Sequence, residues 1–228
     1  MQTDYLRQIV LYLPYNVDIA AQINICNVRE IQQGGREGAE MVRLETERLI
    51  IRDYVESDRE EYFRLKSDPK TMYYLQDIQL STKEESDGDL DKVLEDLKKD
   101  QRTFYFFHIE LKDSSRQVGS AGYTVEERTP VGKIVHAGYF TYPEFWNKGY
   151  VTEAFNKILE FAFLEDDVYR VTTGCLAENI GSERVMQKCG MIKEAEHVDW
   201  GWHDGRMKTR LEYRLLKNEW NATRFGKR

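Results

Sequence analysis

Apolar residues recur along the chain with two different periods, which predicts a mixture of helices and strands. From Leu90 to Leu97 they fall at i, i+3, i+4 and i+7, so they share one face of a helix. A second helix is predicted after the sequence WNKGY, with a buried stripe made of Ala154, Phe155, Ile158, Leu159, Ala162 and Phe163. Runs such as TFYFFHIEL and KIVHAGYFTY are typical of strands. The predicted class is α+β, a mixed α/β arrangement with several strands joined by hairpins.

Further elements follow from start and stop signals. LIIRDY reads as a strand, and a short helix is predicted to begin near Ser57 or Asp58, a good cap followed by acidic residues. VYRVTTGCL is predicted as a strand, and NIGSERVMQKCG as a helix that stops at Gly190. The pair Asp204-Gly205 is a strong hairpin signal, so two strands are predicted to close the chain.

Residues 1–40 differ from the rest of the chain. IVLYLPYNVDIAAQINI could form a strand or a short helix, and QQGGREGAE reads as a flexible linker because Gly-Gly disfavours regular structure. We interpret this part as an upstream extension or a cloning remnant. The alternative is an added arm that docks on the domain or on a partner subunit. Residues 41–228 are predicted to form one domain.

Composition narrows the class of protein. The chain has 228 residues, 41% of them hydrophobic and 32% charged, with a formal net charge of −7. An acidic surface argues against nucleic acid or an anionic membrane as a partner, and no apolar run approaches the roughly 18–20 residues of a membrane span. The three cysteines, Cys26, Cys175 and Cys189, have no metal-binding spacing. They favour a reducing cytoplasm, and we expect no metal.

A glycine-bearing loop, WNKGYVTEA, lies between a predicted strand and the first turn of a predicted helix. The N–H groups of a first helical turn have no partners within the helix, and the helix dipole places about half a positive charge there. Lys148 adds a mobile positive charge. The spacing fits neither a dinucleotide fingerprint nor a P-loop. The loop predicts binding of a phosphate-bearing cofactor, and the alternative is a plain turn between strand and helix.

Six segments, in this order, carry a family resemblance: ETERLIIRDYVESD, QVGSAGY, AGYFTYPEFW, WNKGYVTEA, NIGSERVMQKCGM and HDGRMKTRLEYRL. They resemble the GCN5-related N-acetyltransferases (GNAT), and most closely the RimJ/RimL branch, which modifies ribosomal-protein N-termini. The resemblance runs from about Met41 to Trp220. It implies the GNAT fold, a mostly antiparallel splayed central sheet flanked by helices. The sheet would separate between its fourth and fifth strands, where the pantetheine arm of acetyl-CoA would lie.

The resemblance also implies the residues that bind acetyl-CoA: Phe140, Tyr142, Asn147, Lys148, Gly149, Tyr150, Val151, Thr152, Asn179 and Ser182. Asn147 stands where the family usually has glycine, and asparagine tolerates positive φ better than most residues. Val151 replaces a small residue and could crowd the phosphate. Phe140 and Tyr142 would supply strand backbone to pantetheine. Asn179 would bind the pantetheine amide, although a simple helix N-cap is the alternative.

Catalytic candidates come partly from the resemblance. Many family members place a tyrosine acid where this chain has Met186, so Ser182 is the better candidate to assist the leaving thiolate. His136 has a side chain that titrates near neutrality and could accept the proton of the amine. Glu126 and Glu127 are rival bases, and a desolvating pocket could make a base unnecessary. A further group of aromatic residues could line the acceptor side: Tyr73, Tyr74, Trp200, Trp202 and His203.

The sequence as a whole predicts an acetyl-CoA-dependent N-acetyltransferase that moves an acetyl group to a primary amine. The acceptor would be a protein N-terminus or a small-molecule amine, attacked directly in a ternary complex. Alternatives are an antibiotic-modifying acetyltransferase and a GNAT-like module that binds acyl-CoA without turnover. We expect a monomer or a homodimer.

Overall fold

The computed structural model describes residues 41–225, so the extension predicted for residues 1–40 lies outside the described part. The strands are β1 Arg43–Glu45, β2 Leu49–Asp53, β3 Phe104–Leu111, β4 Gln117–Thr129, β5 Gly132–Thr141, β6 Val168–Leu176, β7 Ile192–His203 and β8 Arg206–Leu216. The α-helices are α1 Arg59–Ser67, α2 Lys83–Asp96, α3 Tyr150–Leu164, α4 Ile180–Lys188 and α5 Lys217–Phe225. Short 3-10 turns occupy Glu56–Asp58, Gln76–Ile78 and Pro143–Phe145.

All eight described strands form one sheet in the order β1-β2-β3-β4-β5-β6-β8-β7. Each pair of neighbours is antiparallel except β5 and β6, which are parallel. Pairing between β5 and β6 ends at His136 and Thr172. Beyond these residues β5 continues to Thr141 without a partner on that side, so the sheet opens there. The expected α+β class is confirmed. The gap was expected between the fourth and fifth strands and lies between the fifth and sixth, because the short strand β1 adds one to the count.

Helix α3 covers one face of the sheet. Its predicted stripe, from Ala154 to Phe163, is almost fully buried against β3, β4 and β5. Phe161 contacts Phe107 of β3, with ring centroids 6.1 Å apart. Side chains alternate between the faces of a strand, so the next residue, His108, points to the opposite face, where α1 and α2 pack. On that face Leu65 of α1 and Phe140 of β5 belong to one buried cluster with Met72.

Local signals placed the turns correctly. Asp204 and Gly205 have φ values of 49° and 77°, the two left-handed residues of a tight hairpin between β7 and β8. Asn179 caps α4, and Gly190 follows that helix with φ 78°. Helix α5 was not predicted. Trp220 of α5 packs against Phe163 of α3, with ring centroids 5.4 Å apart, so tertiary packing supports this short helix.

Among the described residues, no helix combines the length and the apolar character that crossing a membrane would require.

Candidate active site

The loop before α3 has the backbone shape that an anion cradle needs. Asn147 and Gly149 both lie in the left-handed region, with φ values of 59° and 81°. Within the described part of the chain, none of the N–H groups from Asn147 to Thr152 donates a hydrogen bond. These unpaired donors stand at the positive end of the α3 dipole. The asparagine therefore adopts the conformation expected for it.

Arg48, which the sequence analysis did not identify, braces this loop. Its Nη2 lies 2.6 Å from Glu153 Oε2, and its Nη1 donates to the carbonyl oxygen of Lys148 at 3.2 Å. Its guanidinium also covers the ring of Tyr150, 4.3 Å from the centroid. Burial raises the pKa of Glu153, but the bonds from Thr46 and Arg48 outweigh it and hold that pKa below its ordinary value. Glu153 is therefore a carboxylate that anchors the loop.

We expect Arg48→Ala to raise the Kd for acetyl-CoA about tenfold. The substitution releases the Lys148 carbonyl and removes a partly exposed ion pair, a loss of about 1.4 kcal/mol of loop organisation. Calorimetric titration with acetyl-CoA measures the change. Arg43→Ala is the matched control, because Arg43 is exposed and pairs with Glu45 away from the loop. Equal affinities in both variants would show that Arg48 does not organise the cradle.

The open edge of β5 offers backbone groups to the gap. Tyr142 N donates to Val118 O at 3.1 Å. Antiparallel pairs alternate, so Phe140 is also hydrogen-bonded to β4, opposite Ser120. The N–H and C=O groups of Tyr139 and Thr141 therefore point to the gap, and Trp146 Nε1 donates to Thr141 O at 3.0 Å. This differs from the expectation that Phe140 and Tyr142 supply the backbone contacts.

Ser182 and Asn179 lie together at the start of α4, across the gap from β5. Asn179 Oδ1 accepts from Ser182 N at 3.1 Å, which leaves the Asn179 Nδ2 without a partner among the described residues. The Tyr139 hydroxyl donates its one proton to the Ser182 carbonyl at 2.9 Å, so Ser182 Oγ, 3.0 Å from the Tyr139 oxygen, is the donor between the two hydroxyls. Burial raises the pKa of Tyr139, so its hydroxyl stays protonated. Sequence reasoning missed Tyr139 as a partner of Ser182.

His136 stands where β5 and β6 part. Thr172 Oγ1 donates its proton to Val135 O at 3.1 Å, so it accepts from His136 Nδ1, also 3.1 Å away. A neutral ring with its proton on Nδ1 has a free lone pair on Nε2. Burial lowers the pKa of His136 below its ordinary value, which favours this neutral form. The side chain is thus prepared to accept a proton.

Charged side chains surround His136 on this face. Glu126 is the extra residue at a bulge between Val125 and Glu127 of β4 and acts electrostatically on His136. Arg210 and Glu212 of β8 form an ion pair and act on it too. Sequence reasoning missed the last two, because nothing local marks them.

Gly174 makes room for this ion pair. A Cβ there would lie 2.7 Å from both Glu212 Oε2 and Leu211 O.

Of the five residues predicted to line the acceptor side, three lie together in the structure. Tyr73, Tyr74 and His203 form one cluster, and His203 Nε2 lies 2.7 Å from Tyr73 O. This contact between His203 and Tyr73 links the loop after α1 to the β7–β8 hairpin. Trp200 instead contacts His197, and Trp202 is 73% exposed. Three of the five residues could therefore border an acceptor.

Cys175 and Cys189 are free and buried. Burial raises the pKa of Cys175 to about 11 and that of Cys189 to about 12, so both thiols are protonated near neutral pH. Neither is an activated nucleophile.

Comparison with known proteins identifies the class that this fold and site define. The profile of the Acetyltransferase (GNAT) domain matches residues 48–192. The chain belongs to this family and is an N-acetyltransferase.

Similar proteins and solved structures are also N-acetyltransferases or share the fold. YnaD of Bacillus subtilis (strain 168), named an uncharacterized N-acetyltransferase, is 28% identical over 190 residues, which cover 79% of this chain and 100% of YnaD. A GNAT-family acetyltransferase from Bacillus anthracis is 25% identical with a TM-score of 0.64, covering 78% of this chain and 99% of that one. Ribosomal-protein-S5-alanine acetyltransferase from Vibrio fischeri, 21% identical, shares the fold with a TM-score of 0.67 over 78% of this chain and 98% of its own.

A structure with bound cofactor is also similar. Spermidine N-acetyltransferase from Vibrio cholerae, in complex with CoA and spermine, is 17% identical with a TM-score of 0.66, covering 75% of this chain and 97% of that one. This likeness shows the fold. The GNAT family uses acetyl-CoA as the acetyl donor.

Proposed function

We propose that this chain transfers the acetyl group of acetyl-CoA to a single primary amine, most simply the α-amino group of a protein N-terminus, as in the RimJ/RimL-like branch. The observation that carries the proposal is the row of unpaired N–H groups before α3, at the end of β5 where the sheet opens. The proposed residues are those named in the sequence analysis with three changes: Tyr139 and Thr141 replace Phe140 and Tyr142 as strand contacts, Trp200 and Trp202 are left out, and Arg48 is added.

The residues present fit the cofactor. The N–H groups from Asn147 to Thr152 would hold the pyrophosphate, with Lys148 free to add charge. The outward backbone groups of Tyr139, the N–H of Thr141 and the Asn179 Nδ2 would bind the pantetheine arm, while the Thr141 carbonyl accepts from Trp146 Nε1. The side chain of Phe140 belongs to a buried cluster with Leu65 and Met72. When bound, acetyl-CoA supplies an activated acetyl thioester.

Proton transfer is assigned to His136. The amine must be neutral to attack, and the free Nε2 of His136 is the proposed acceptor of its proton. Glu126 and Glu212 would attract the incoming ammonium group. Glu126 is exposed, so as a base it is a weaker candidate than the more buried imidazole. The protonated thiols of Cys175 and Cys189 support direct attack without an acyl-enzyme.

We expect Ser182→Ala to lower kcat about tenfold to a hundredfold and to change the Kd for acetyl-CoA less than about threefold. The Ser182 hydroxyl is proposed to donate a hydrogen bond to the departing sulfur, where charge develops. Tyr139→Phe removes the hydroxyl that touches Ser182 and keeps the ring, so kcat should fall by a smaller factor. Stopped assays of CoA release, at saturating donor, measure both. An unaltered kcat in Ser182→Ala would show that the hydroxyl is dispensable.

The charges beside the gap bear on the acceptor. Glu126, Glu212 and Arg210 together carry one net negative charge next to His136. One ammonium group balances this charge, whereas a polyamine would bring several positive charges against Arg210. The Tyr73, Tyr74 and His203 cluster would border the rest of the acceptor. A cytoplasmic location is part of the proposal, supported by the free thiols of Cys175 and Cys189.

The test is a two-stage titration of the full chain. Calorimetry with acetyl-CoA comes first, and saturable binding is expected. CoA release is then followed with peptides of differing N-terminal residues, with N-terminally blocked copies as controls, and with spermidine. Turnover with a free N-terminus that is absent from the blocked copy would support the proposal. Turnover with spermidine alone would overturn the acceptor, and binding without any turnover would indicate a non-catalytic module.

A further inference from the structure

A buried histidine nitrogen without a partner faces carboxylates on the α1 side of the sheet. The side chain of His108 is 0% exposed, and its Nε2 forms no hydrogen bond within the described part of the chain. This atom lies 3.2 Å from Glu110 Oε2 and 3.9 Å from Glu61 Oε2. Leaving a buried polar atom without a hydrogen bond lowers the free energy of unfolding by about 1–3 kcal/mol. A ligand bound to His108 Nε2 would remove this loss.

The charges around His108 favour a cation. Asp58, Glu61 and Glu110 act on it as carboxylates, and Arg52 acts as the opposing cation. Arg52 holds both oxygens of Asp58, at 2.8 and 3.0 Å, and is 3.5 Å from Glu110. Three carboxylates against one guanidinium leave two net negative charges. A divalent cation would balance them.

The imidazole can present a lone pair to such a cation. A metal-bound imidazole must be neutral, and binding of the cation releases any proton that the ring holds on Nε2. Gln117 lies 3.4 Å from Nδ1. In this geometry the Gln117 Nε2 faces His108, and the Gln117 Oε1 accepts from the Tyr142 hydroxyl at 3.3 Å. Turning the amide exchanges the two atoms, so that the oxygen accepts the Nδ1 proton and frees Nε2, the supporting contact that metal-bound histidines usually have.

The spacing suits a small metal ion. Bonds of about 2.0–2.1 Å to nitrogen and oxygen put neighbouring tetrahedral ligands about 3.3 Å apart, close to the 3.2 Å between His108 Nε2 and Glu110 Oε2. Glu61 is 37% exposed and can close its 3.9 Å separation by a change of rotamer. An ion can enter from a cleft of about 550 Å³ that Glu61 and Gln117 line.

We propose that Asp58, Glu61 and His108, whose ligand atoms lie within 4.8 Å of one another, bind a divalent transition metal, best matched by Zn²⁺, that ties α1 to β3. Glu110 Oε2, 3.2 Å from His108 Nε2, would fill a fourth position. The site adjoins the open edge of β5: Gln117 accepts from the hydroxyl of Tyr142, directly after that strand, and Leu65 of α1 shares a buried cluster with Phe140 of β5. The metal would therefore fix α1 against the strand that borders the gap.

The test is calorimetric titration of the chelator-treated full chain with Zn²⁺. We expect one equivalent to bind, and Glu61→Gln to weaken binding at least about tenfold. Glu60→Gln is the matched control: the neighbouring carboxylate is 63% exposed, is paired with Lys83, and should leave the affinity within about twofold. His108→Gln should abolish binding, with circular dichroism used to confirm that the variant is folded.

No zinc binding by the folded protein would overturn the proposal. Binding that survives Glu61→Gln would also overturn it, because the metal would then belong to other groups such as the cysteines. The acetyl-CoA titration is independent of both results.

Discussion

Replacing Gly149 by tryptophan is expected to raise the Kd for acetyl-CoA at least about 100-fold. Gly149 has a φ of 81°, and a Cβ there would have Arg48 Nη2 at 3.6 Å as its neighbour. A tryptophan would either project over the unpaired N–H groups or pull the backbone out of the left-handed region. Two lost charged hydrogen bonds, at about 1.5–3 kcal/mol each, account for the size of the effect.

Gly190→Trp separates this effect from simple strain. Gly190 has nearly the same φ, 78°, and no atom within 4 Å of a Cβ, so the backbone cost of about 1–2 kcal/mol should be similar. Both variants should show a lowered free energy of unfolding, but Gly190→Trp should keep its affinity within about threefold. If Gly149→Trp binds acetyl-CoA as the wild type does, the phosphate site lies elsewhere.

The second large effect is expected at His136. His136→Gln should lower kcat/KM about 100-fold at pH 8, because general base catalysis contributes roughly 10²–10⁴. Glutamine keeps a polar side chain of similar reach next to Thr172 but has no basic nitrogen. Glu126→Gln is the matched control for the rival base and should stay within about threefold of the wild type.

The pH dependence identifies the role of His136. Protonation of the acceptor amine slows wild type and variant alike, so the ratio of their kcat/KM values is the readout. Burial lowers the pKa of His136 from its ordinary value of 6.5, while Glu126 and Glu212 oppose this shift and Arg210 adds to it. The ratio should therefore persist down to about pH 6.5 and shrink as the pH falls further and the imidazole gains a proton. A ratio near one at every pH would assign the deprotonation to Glu126 or to solvent.

Much of the scaffold could be predicted because its signals are local. The α3 stripe, the cap at Asn179 and the left-handed Asp204-Gly205 hairpin each depend on a few neighbouring residues. Helix α5 was not predicted because its Trp220 is buried against Phe163, a residue more than fifty positions earlier in the chain. Packing between distant segments has no periodic signature in one sequence.

The candidate site shows the same division. The loop around Gly149 could be predicted, because positive φ and free helical N–H groups follow from residue type and position. The packing of distant segments was needed to bring Arg48 to Glu153, Tyr139 to Ser182, and Arg210 with Glu212 over Gly174. It alone also placed Glu61 near His108. Strand pairing and helix docking set these distances. The order of residues along the chain does not show which long side chains will come into contact after folding.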